Sequence, residues 1–154
     1  MTKHLLIVYH SATGGTQSML DEVVAGANDG AFNSVDIVVR SAFAADASDV
    51  LSASAIILGT PENFGYMSGA LKDFFDRIYY PCLEHTQGLP YSCFIRAGND
   101  GTGANAAILR IVTGLRWREV IPPVIANRAI DLDVLTACRS LGETLAAGLD
   151  TGIF

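Results

Sequence analysis

The segment best suited to chemistry is residues 11–16, which reads Ser-Ala-Thr-Gly-Gly-Thr and directly follows the apolar run at residues 5–9. A buried strand that leads through hydroxyls and glycines into a helix offers a phosphate free N–H groups, Ser/Thr hydroxyls and the positive end of a helix dipole. The glycines let the backbone approach closely and adopt positive φ where needed. This first loop therefore predicts a phosphate site.

The residues missing from the first loop narrow the kind of phosphate that it could bind. It has no lysine, whereas the nucleoside-triphosphate loop needs G-x-x-x-x-G-K-[ST], and it has no G-x-G-x-x-G dinucleotide fingerprint. A loop of hydroxyls and glycines without lysine suits a single phosphate monoester. The alternative is an ordinary strand-to-helix turn in which Thr16 caps the helix.

Two more glycine-bearing loops follow apolar runs. Residues 60–67 read Thr-Pro-Glu-Asn-Phe-Gly-Tyr-Met, and residues 97–103 read Ala-Gly-Asn-Asp-Gly-Thr-Gly. The second loop carries two aromatic side chains and suits the edge and face of a flat ring, while the glycines of the third loop let backbone lie close to a ligand. A phosphate cradle beside a slot for a planar ring predicts a site for flavin mononucleotide (FMN). The alternatives are aromatic side chains that cover a helix and glycines that only form a turn.

The elements that position these loops alternate between strand and helix. Continuous apolar runs predict strands at residues 5–9, 35–39, 55–58, 91–95 and 120–126. Apolar stripes at helical spacing predict four helices and a weaker short one, at residues 19–27, 70–78, 104–115, 135–149 and 46–52. Five such strand-helix units predict an α/β protein with a parallel sheet covered on both faces.

The fifth strand candidate contains Pro122 and Pro123, and proline is confined to edge strands or strand ends. An edge position fits a flavodoxin-like three-layer sandwich with a five-stranded parallel sheet of order 2-1-3-4-5. In such sheets ligands bind at the carboxyl ends of the strands, where the strand order reverses. The three loops are therefore expected to meet in one crevice. Residues 1–154 show no domain boundary and are expected to form one domain.

Composition excludes several other classes of function. The chain has 10 Lys and Arg against 16 Asp and Glu, for a net charge of −6, whereas nucleic-acid binding needs a basic footprint. No run reaches the ~18 apolar residues of a membrane helix. The three cysteines show no disulfide pattern and no metal-site spacing. They are expected to be buried, reduced thiols in a cytoplasmic protein without a metal site.

The most specific motif is Gly-Thr-Pro-Glu-Asn-Phe-Gly-Tyr-Met-Ser at residues 59–68, which continues into Gly-Ala-Leu-Lys-Asp-Phe-Phe-Asp-Arg at residues 69–77. Together with the first loop it resembles the flavodoxin-like flavoproteins, in particular NAD(P)H-dependent FMN reductases and NAD(P)H:quinone oxidoreductases. The resemblance covers the first hundred or so residues well, and the remainder by topology.

The resemblance implies a role for thirteen residues, position by position. The phosphate would be held by Ser11, Thr13, Gly14, Gly15 and Thr16. The isoalloxazine would be bordered by Pro61, Glu62, Asn63, Phe64 and Gly65. Its other edge would be approached by Gly98, Asn99 and Gly101.

The resemblance also implies an FMN-dependent oxidoreductase that uses NADH or NADPH and passes electrons to a quinone, a flavin or another small acceptor. No catalytic side chain is assigned, because the flavin carries the chemistry. The third loop has Asn99 and Asp100 where some quinone reductases have histidine, and it lacks the aromatic typical of flavodoxins, so one flavin face would be open. A flavodoxin-type electron carrier, which the acidic charge favours, and a non-catalytic binding domain remain alternatives. Homodimer, homotetramer and monomer also stay open.

Overall fold

The computed structural model describes residues 2–154, in which strands and helices alternate along the chain. The elements in order are β1 (Lys3–Tyr9), α1 (Gly15–Asp29), β2 (Val35–Ser41), α2 (Ala47–Ser52), β3 (Ala55–Asn63), β4 (Tyr66–Met67), α3 (Gly69–Cys82), β5 (Pro90–Ala97), α4 (Thr102–Leu115), β6 (Arg118–Glu119), β7 (Val124–Asn127) and α5 (Leu132–Thr151). All the predicted helices are present, including the short one at α2.

The main sheet is parallel, with the order β2-β1-β3-β5, and both β6 and β7 pair with the outer edge of β5. This confirms the predicted flavodoxin-like order, but the prediction of one fifth strand at residues 120–126 was wrong. Pro122 and Pro123 separate β6 from β7, because proline has no N–H to donate to the ladder. The Ser92 hydroxyl donates to the Ile121 carbonyl at 2.9 Å beside this gap.

The second predicted loop contains regular structure that the sequence pattern did not indicate. Strand β3 runs on to Asn63 and pairs antiparallel with β4, with Glu62 opposite Met67 and Asn63 opposite Tyr66. Phe64 and Gly65 form the tip, with φ of 52° and 70°. A two-residue hairpin favours positive φ at both central positions. The prediction of a loop throughout residues 60–67 is therefore corrected to a short β-hairpin.

Two apolar cores lie on opposite faces of the sheet, because successive side chains of a strand alternate between faces. Leu5, Ile7 and Phe94 belong to the core beneath α1 and α5. Leu6 and Val8 belong to the core beneath α2, α3 and α4. These two cores give the three layers of the predicted sandwich.

Helices α1 and α5 approach each other closely enough for backbone contact. A Cβ at Gly26 of α1 would lie 1.9 Å from the Arg139 carbonyl oxygen, and one at Gly142 of α5 would lie 1.9 Å from the Val23 carbonyl oxygen. Only glycine fits at either position. This contact fixes the second half of α1 against α5.

The three cysteines are buried and free, as predicted. Burial raises the pKa of Cys93 to about 12 and that of Cys138 to about 12, so these thiols stay protonated near neutral pH. Across residues 2–154, no helix is both long and apolar enough to cross a membrane. The same stretch contains no cluster of His, Cys, Asp or Glu that could hold a metal ion.

Candidate functional site

The structure brings the three predicted loops to the same edge of the sheet. Tyr9 of β1 pairs with Gly59 of β3, and Gly59 pairs with Phe94 of β5. The three strands are adjacent and parallel, so the chain leaves each of them at the same edge. The first loop, the hairpin of β3 and β4 and the third loop therefore surround the point where the strand order reverses, as expected for a ligand site in this kind of sheet.

The first loop enters α1 through a glycine. Gly14 is the N-cap, with φ of 96° in the left-handed region, and α1 begins at Gly15. Thr16 lies inside the first turn with 2% of its surface exposed, which rules out the alternative of a Thr16 cap. The Ser11 hydroxyl accepts a hydrogen bond from the Gln17 amide at 3.2 Å. This bond closes the loop over the end of the helix.

Several donors of the first loop have no protein partner. Within the described chain, the N–H groups of Thr13, Gly14, Gly15 and Thr16 meet no acceptor. The first turn of α1 contains no acidic residue, and Thr13 and Gly14 are exposed. The positive end of a 15-residue helix, with its free amides, thus lies behind the exposed residues Thr13 and Gly14. This arrangement suits an anion with several acceptor oxygens.

A residue that sequence reasoning missed also reaches this place. Arg96 lies near the end of β5, in one row with Pro61 of β3 and Ala126 of β7. A Cβ at Gly15 would lie 2.7 Å from the Arg96 Nε and 3.0 Å from its Cδ, so the arginine lies directly against the start of α1. The signal in the sequence was a lone charge in an otherwise uncharged strand, two residues before Gly98.

The hairpin is held by two hydroxyls that the resemblance left without a role. The buried Thr60 hydroxyl donates to the Pro61 carbonyl at 2.8 Å and accepts from the Ser68 amide at 3.0 Å. The Ser68 hydroxyl in turn accepts from the Leu71 amide at 3.2 Å and caps α3. These bonds fix the hairpin against the helix that follows it.

Glu62 joins the hairpin to the third loop. Its carboxylate accepts from the Ala104 amide at 3.2 Å, in the first turn of α4, where a negative charge is favourable. A Cβ at Gly103 would lie only 2.0 Å from the Gly65 carbonyl oxygen, so the backbones also touch. Pro61 is partly buried, while Asn63 and Phe64 at the tip are exposed.

The third loop divides into an open part and a turn. Gly98 and Asn99 are exposed, and a Cβ at Gly98 would meet nothing within 4 Å. Gly101 is the N-cap of α4 with φ of 76°. The Asp100 carboxylate accepts from the Thr102 hydroxyl at 2.7 Å and from its amide at 3.0 Å, and these bonds lower the pKa of Asp100. Gly101 thus has a structural reason to be glycine, whereas Gly98 and Asn99 leave space for a ligand.

Known proteins of similar sequence and structure agree with this architecture. The chain is 26% identical to a flavodoxin of Aquifex aeolicus over 158 residues, which cover 92% of this chain and 84% of that protein. A flavodoxin, WrbA-like protein from Agrobacterium tumefaciens superposes with a TM-score of 0.78 at 19% identity, covering 98% of this chain and 99% of that one. A flavodoxin from the domain Archaea has a TM-score of 0.77 at 21% identity, covering 95% and 98%. These two structural likenesses establish the fold.

The family is established by a match along the sequence itself. Residues 39–126 match the NADPH-dependent FMN reductase family, and this match spans more than half of the chain. It includes the whole Gly-Thr-Pro segment of the hairpin, the third loop and β5 with Arg96. The protein therefore belongs to the NADPH-dependent FMN reductase family and is a flavodoxin-like flavoprotein.

Proposed function

We propose that this protein binds FMN across the three loops and passes electrons from NADH or NADPH to a small acceptor such as a quinone or a free flavin. The observation that carries this proposal is the group of unpartnered donors in the first loop, next to exposed hairpin and third-loop residues. Membership of the NADPH-dependent FMN reductase family supports the choice of cofactor and of electron donor.

The residues present fit FMN at both of its ends. A phosphate dianion needs several donors and no nearby carboxylate, and the first loop offers four free amides at a helix N-terminus without an acidic first turn. A flat ring needs a firm border with an exposed contact surface. The hairpin is braced by Thr60 and Glu62 and presents Asn63 and Phe64, while Gly98 and Asn99 lie on the other side.

Bound FMN would supply the redox chemistry, in which a hydride carries two electrons from NAD(P)H and the acceptor takes up two electrons with protons. In this proposal the protein binds FMN and orients its ring. The first loop holds the phosphate, the hairpin tip borders the ring, and Glu62 keeps the hairpin and α4 in a fixed relation. No acid–base pair of side chains is required for such a reaction.

The open third loop favours a reductase. Its exposed residues, Gly98 to Asp100, include no aromatic side chain that could cover a flavin, so a nicotinamide or an acceptor would have room beside the ring. A flavodoxin-type electron carrier is the second candidate. The net charge of −6 and the 26% identity to a flavodoxin favour it, since acidic surfaces guide docking to basic redox partners.

One experiment separates these functions. The purified protein is stripped of any chromophore, titrated with FMN, and mixed without oxygen with NADH or NADPH. We expect saturable binding, loss of the visible flavin absorbance on adding NAD(P)H alone, and recovery on adding a quinone. Bound flavin that is bleached by dithionite but not by NAD(P)H would instead identify a carrier. A protein that binds no FMN would contradict the proposal altogether.

A further inference from the structure

Arg96 occupies an unusual position for a charged side chain. It shares a sheet face with Phe94, which is buried beneath α1 and α5, and lies where that core reaches the first loop. Its Nε is buried without a hydrogen-bond partner and lies 2.7 Å from the place that a Cβ of Gly15 would take. Side chains of α5 and β7 do not neutralise it, since no ion pair or hydrogen bond of Arg96 occurs anywhere in residues 2–154.

Two other arginines of this chain have guanidinium groups that are fully engaged in hydrogen bonds. Arg77 donates to Asp73 at 2.9 Å and to two backbone carbonyls at 2.6 Å. Arg139 donates to Asp29 and Glu22 at 2.9–3.1 Å. Arg96 is partly buried and has none of these, so its desolvation is not compensated by the protein.

The location adds an electrostatic cost. The N-terminus of α1 carries a partial positive charge, and its first turn has no acidic residue. A guanidinium beside Gly15 is therefore repelled by the helix end and by the free amides around it. Two positive groups that lie together with no carboxylate paired to either, at the edge of the sheet where the loops meet, are both stabilised if an anion binds between them.

We propose that Arg96 is a ligand of the FMN phosphate, binding it from the sheet side while the amides of the first loop bind it from the helix side. This inference rests on the proposed FMN site. The buried Nε has no partner, the terminal guanidinium nitrogens make no hydrogen bond or ion pair within residues 2–154, and arginine matches phosphate oxygens with paired N–H donors. Gly15 is then glycine partly because any side chain would displace Arg96.

Two consequences distinguish this role from a structural one. Arg96 should favour FMN over riboflavin, which has the same ring but no phosphate. In the flavin-free protein, the charge of Arg96 has no partner. The flavin-free wild type should therefore be no more stable than a variant with an apolar side chain at position 96. A structural arginine would instead support both flavins equally and would stabilise the flavin-free fold.

The test compares four proteins, freed of flavin, in titrations with FMN and with riboflavin followed by fluorescence. They are the wild type, Arg96→Met, Arg96→Lys and, as a control for charge, Arg110→Met, which removes an exposed arginine of α4. We expect Arg96→Met to weaken FMN binding roughly 10- to 100-fold, as loss of a charged hydrogen-bond partner does, and to leave riboflavin binding unchanged. Arg96→Lys should lose less, and Arg110→Met should match the wild type.

Several results would overturn the proposal. Equal losses for both flavins, no loss of FMN binding, or an equal loss in Arg110→Met would each exclude a phosphate ligand at position 96. Thermal unfolding of the flavin-free proteins is the second measurement, and a clearly lower melting temperature of Arg96→Met would show a structural role. If Arg96→Met does not fold, Arg96→Lys must still show a loss confined to FMN. A wild type that binds no FMN would overturn the proposed function and this inference together, whereas intact binding with unchanged selectivity would overturn this inference alone.

Discussion

The first loop and the hairpin of β3 and β4 lie at the same edge of the sheet, yet they differ in whether their polar groups have hydrogen-bond partners. In the hairpin, the Thr60 hydroxyl and the Glu62 carboxylate are hydrogen-bonded to neighbouring backbone. In the first loop, the amides of residues 13–16 have no partner among the described residues, and neither has the buried Nε of Arg96, which reaches the loop from β5.

From this difference we infer that the hairpin is a structural frame and propose that the first loop is the ligand site. Partnered groups each add about 1 kcal/mol to the free energy of unfolding and fix geometry, whereas unpartnered donors lower stability until something binds them. Changes in the hairpin should therefore cost stability first. Changes in the first loop should cost FMN affinity and leave the stability of the flavin-free protein almost unchanged.

The largest effect is expected where the hairpin touches α4. Gly103→Ala places a Cβ 2.0 Å from the Gly65 carbonyl oxygen, so backbone must move, and we expect a loss of about 3 kcal/mol in the free energy of unfolding. Urea denaturation measures it. Gly98→Ala is the matched control, because its Cβ meets nothing within 4 Å. Equal stability of the two variants would contradict the contact between hairpin and helix.

Thr60→Val tests the hydroxyl inside the hairpin. The change keeps the shape of the side chain but leaves the buried Ser68 amide without an acceptor, which should cost about 2 kcal/mol in the free energy of unfolding. Thr60→Ser keeps the hydroxyl and should lose clearly less. If valine and serine behave alike in urea denaturation, the bond to Ser68 does not hold the hairpin.

Thr13→Ala tests the other side of the comparison. The Thr13 side chain is exposed and has no hydrogen bond in the described structure, so the flavin-free protein should keep its melting temperature. We expect FMN binding to weaken roughly 3- to 10-fold through loss of one hydroxyl contact, with riboflavin binding unchanged. If Thr13→Ala lowers the melting temperature and leaves FMN affinity unchanged, the first loop is part of the structural frame and Thr13 is not a ligand of FMN.

The smallest effect is expected in the turn of the third loop. Bonds from Thr102 lower the pKa of Asp100 from its ordinary value of 3.8, so its charge stabilises the fold above that pH. This contribution is lost as the pH falls through the lower, folded-state pKa. Asp100→Asn should thus be slightly less stable than the wild type at pH 7, and the difference should shrink as the pH falls below 3.8 and vanish only below the folded-state pKa. A difference that persists in acid would point to another cause.

Much of the fold could be predicted because it follows from local pattern. The apolar runs at residues 5–9 and 55–58 indicated buried parallel strands, and the prolines at 122 and 123 indicated an edge. The same prolines divide that edge strand into β6 and β7. This division could not be predicted, because it requires that the segments before and after the prolines each pair with β5. The pairing of Glu62 with Met67 could not be predicted either, because a two-residue strand is too short to show a periodic pattern.

By itself, the sequence determined the layered α/β fold, the strand order and the three glycine-bearing loops, since these depend on hydrophobic spacing and on residues that allow unusual backbone. Only the tertiary structure decided which polar groups are partnered. It places the Glu62 carboxylate on the end of α4, and it brings Arg96 from β5 against Gly15 of α1, 81 positions earlier in the chain. Such contacts depend on distances between side chains across the sheet, which no spacing along the chain records.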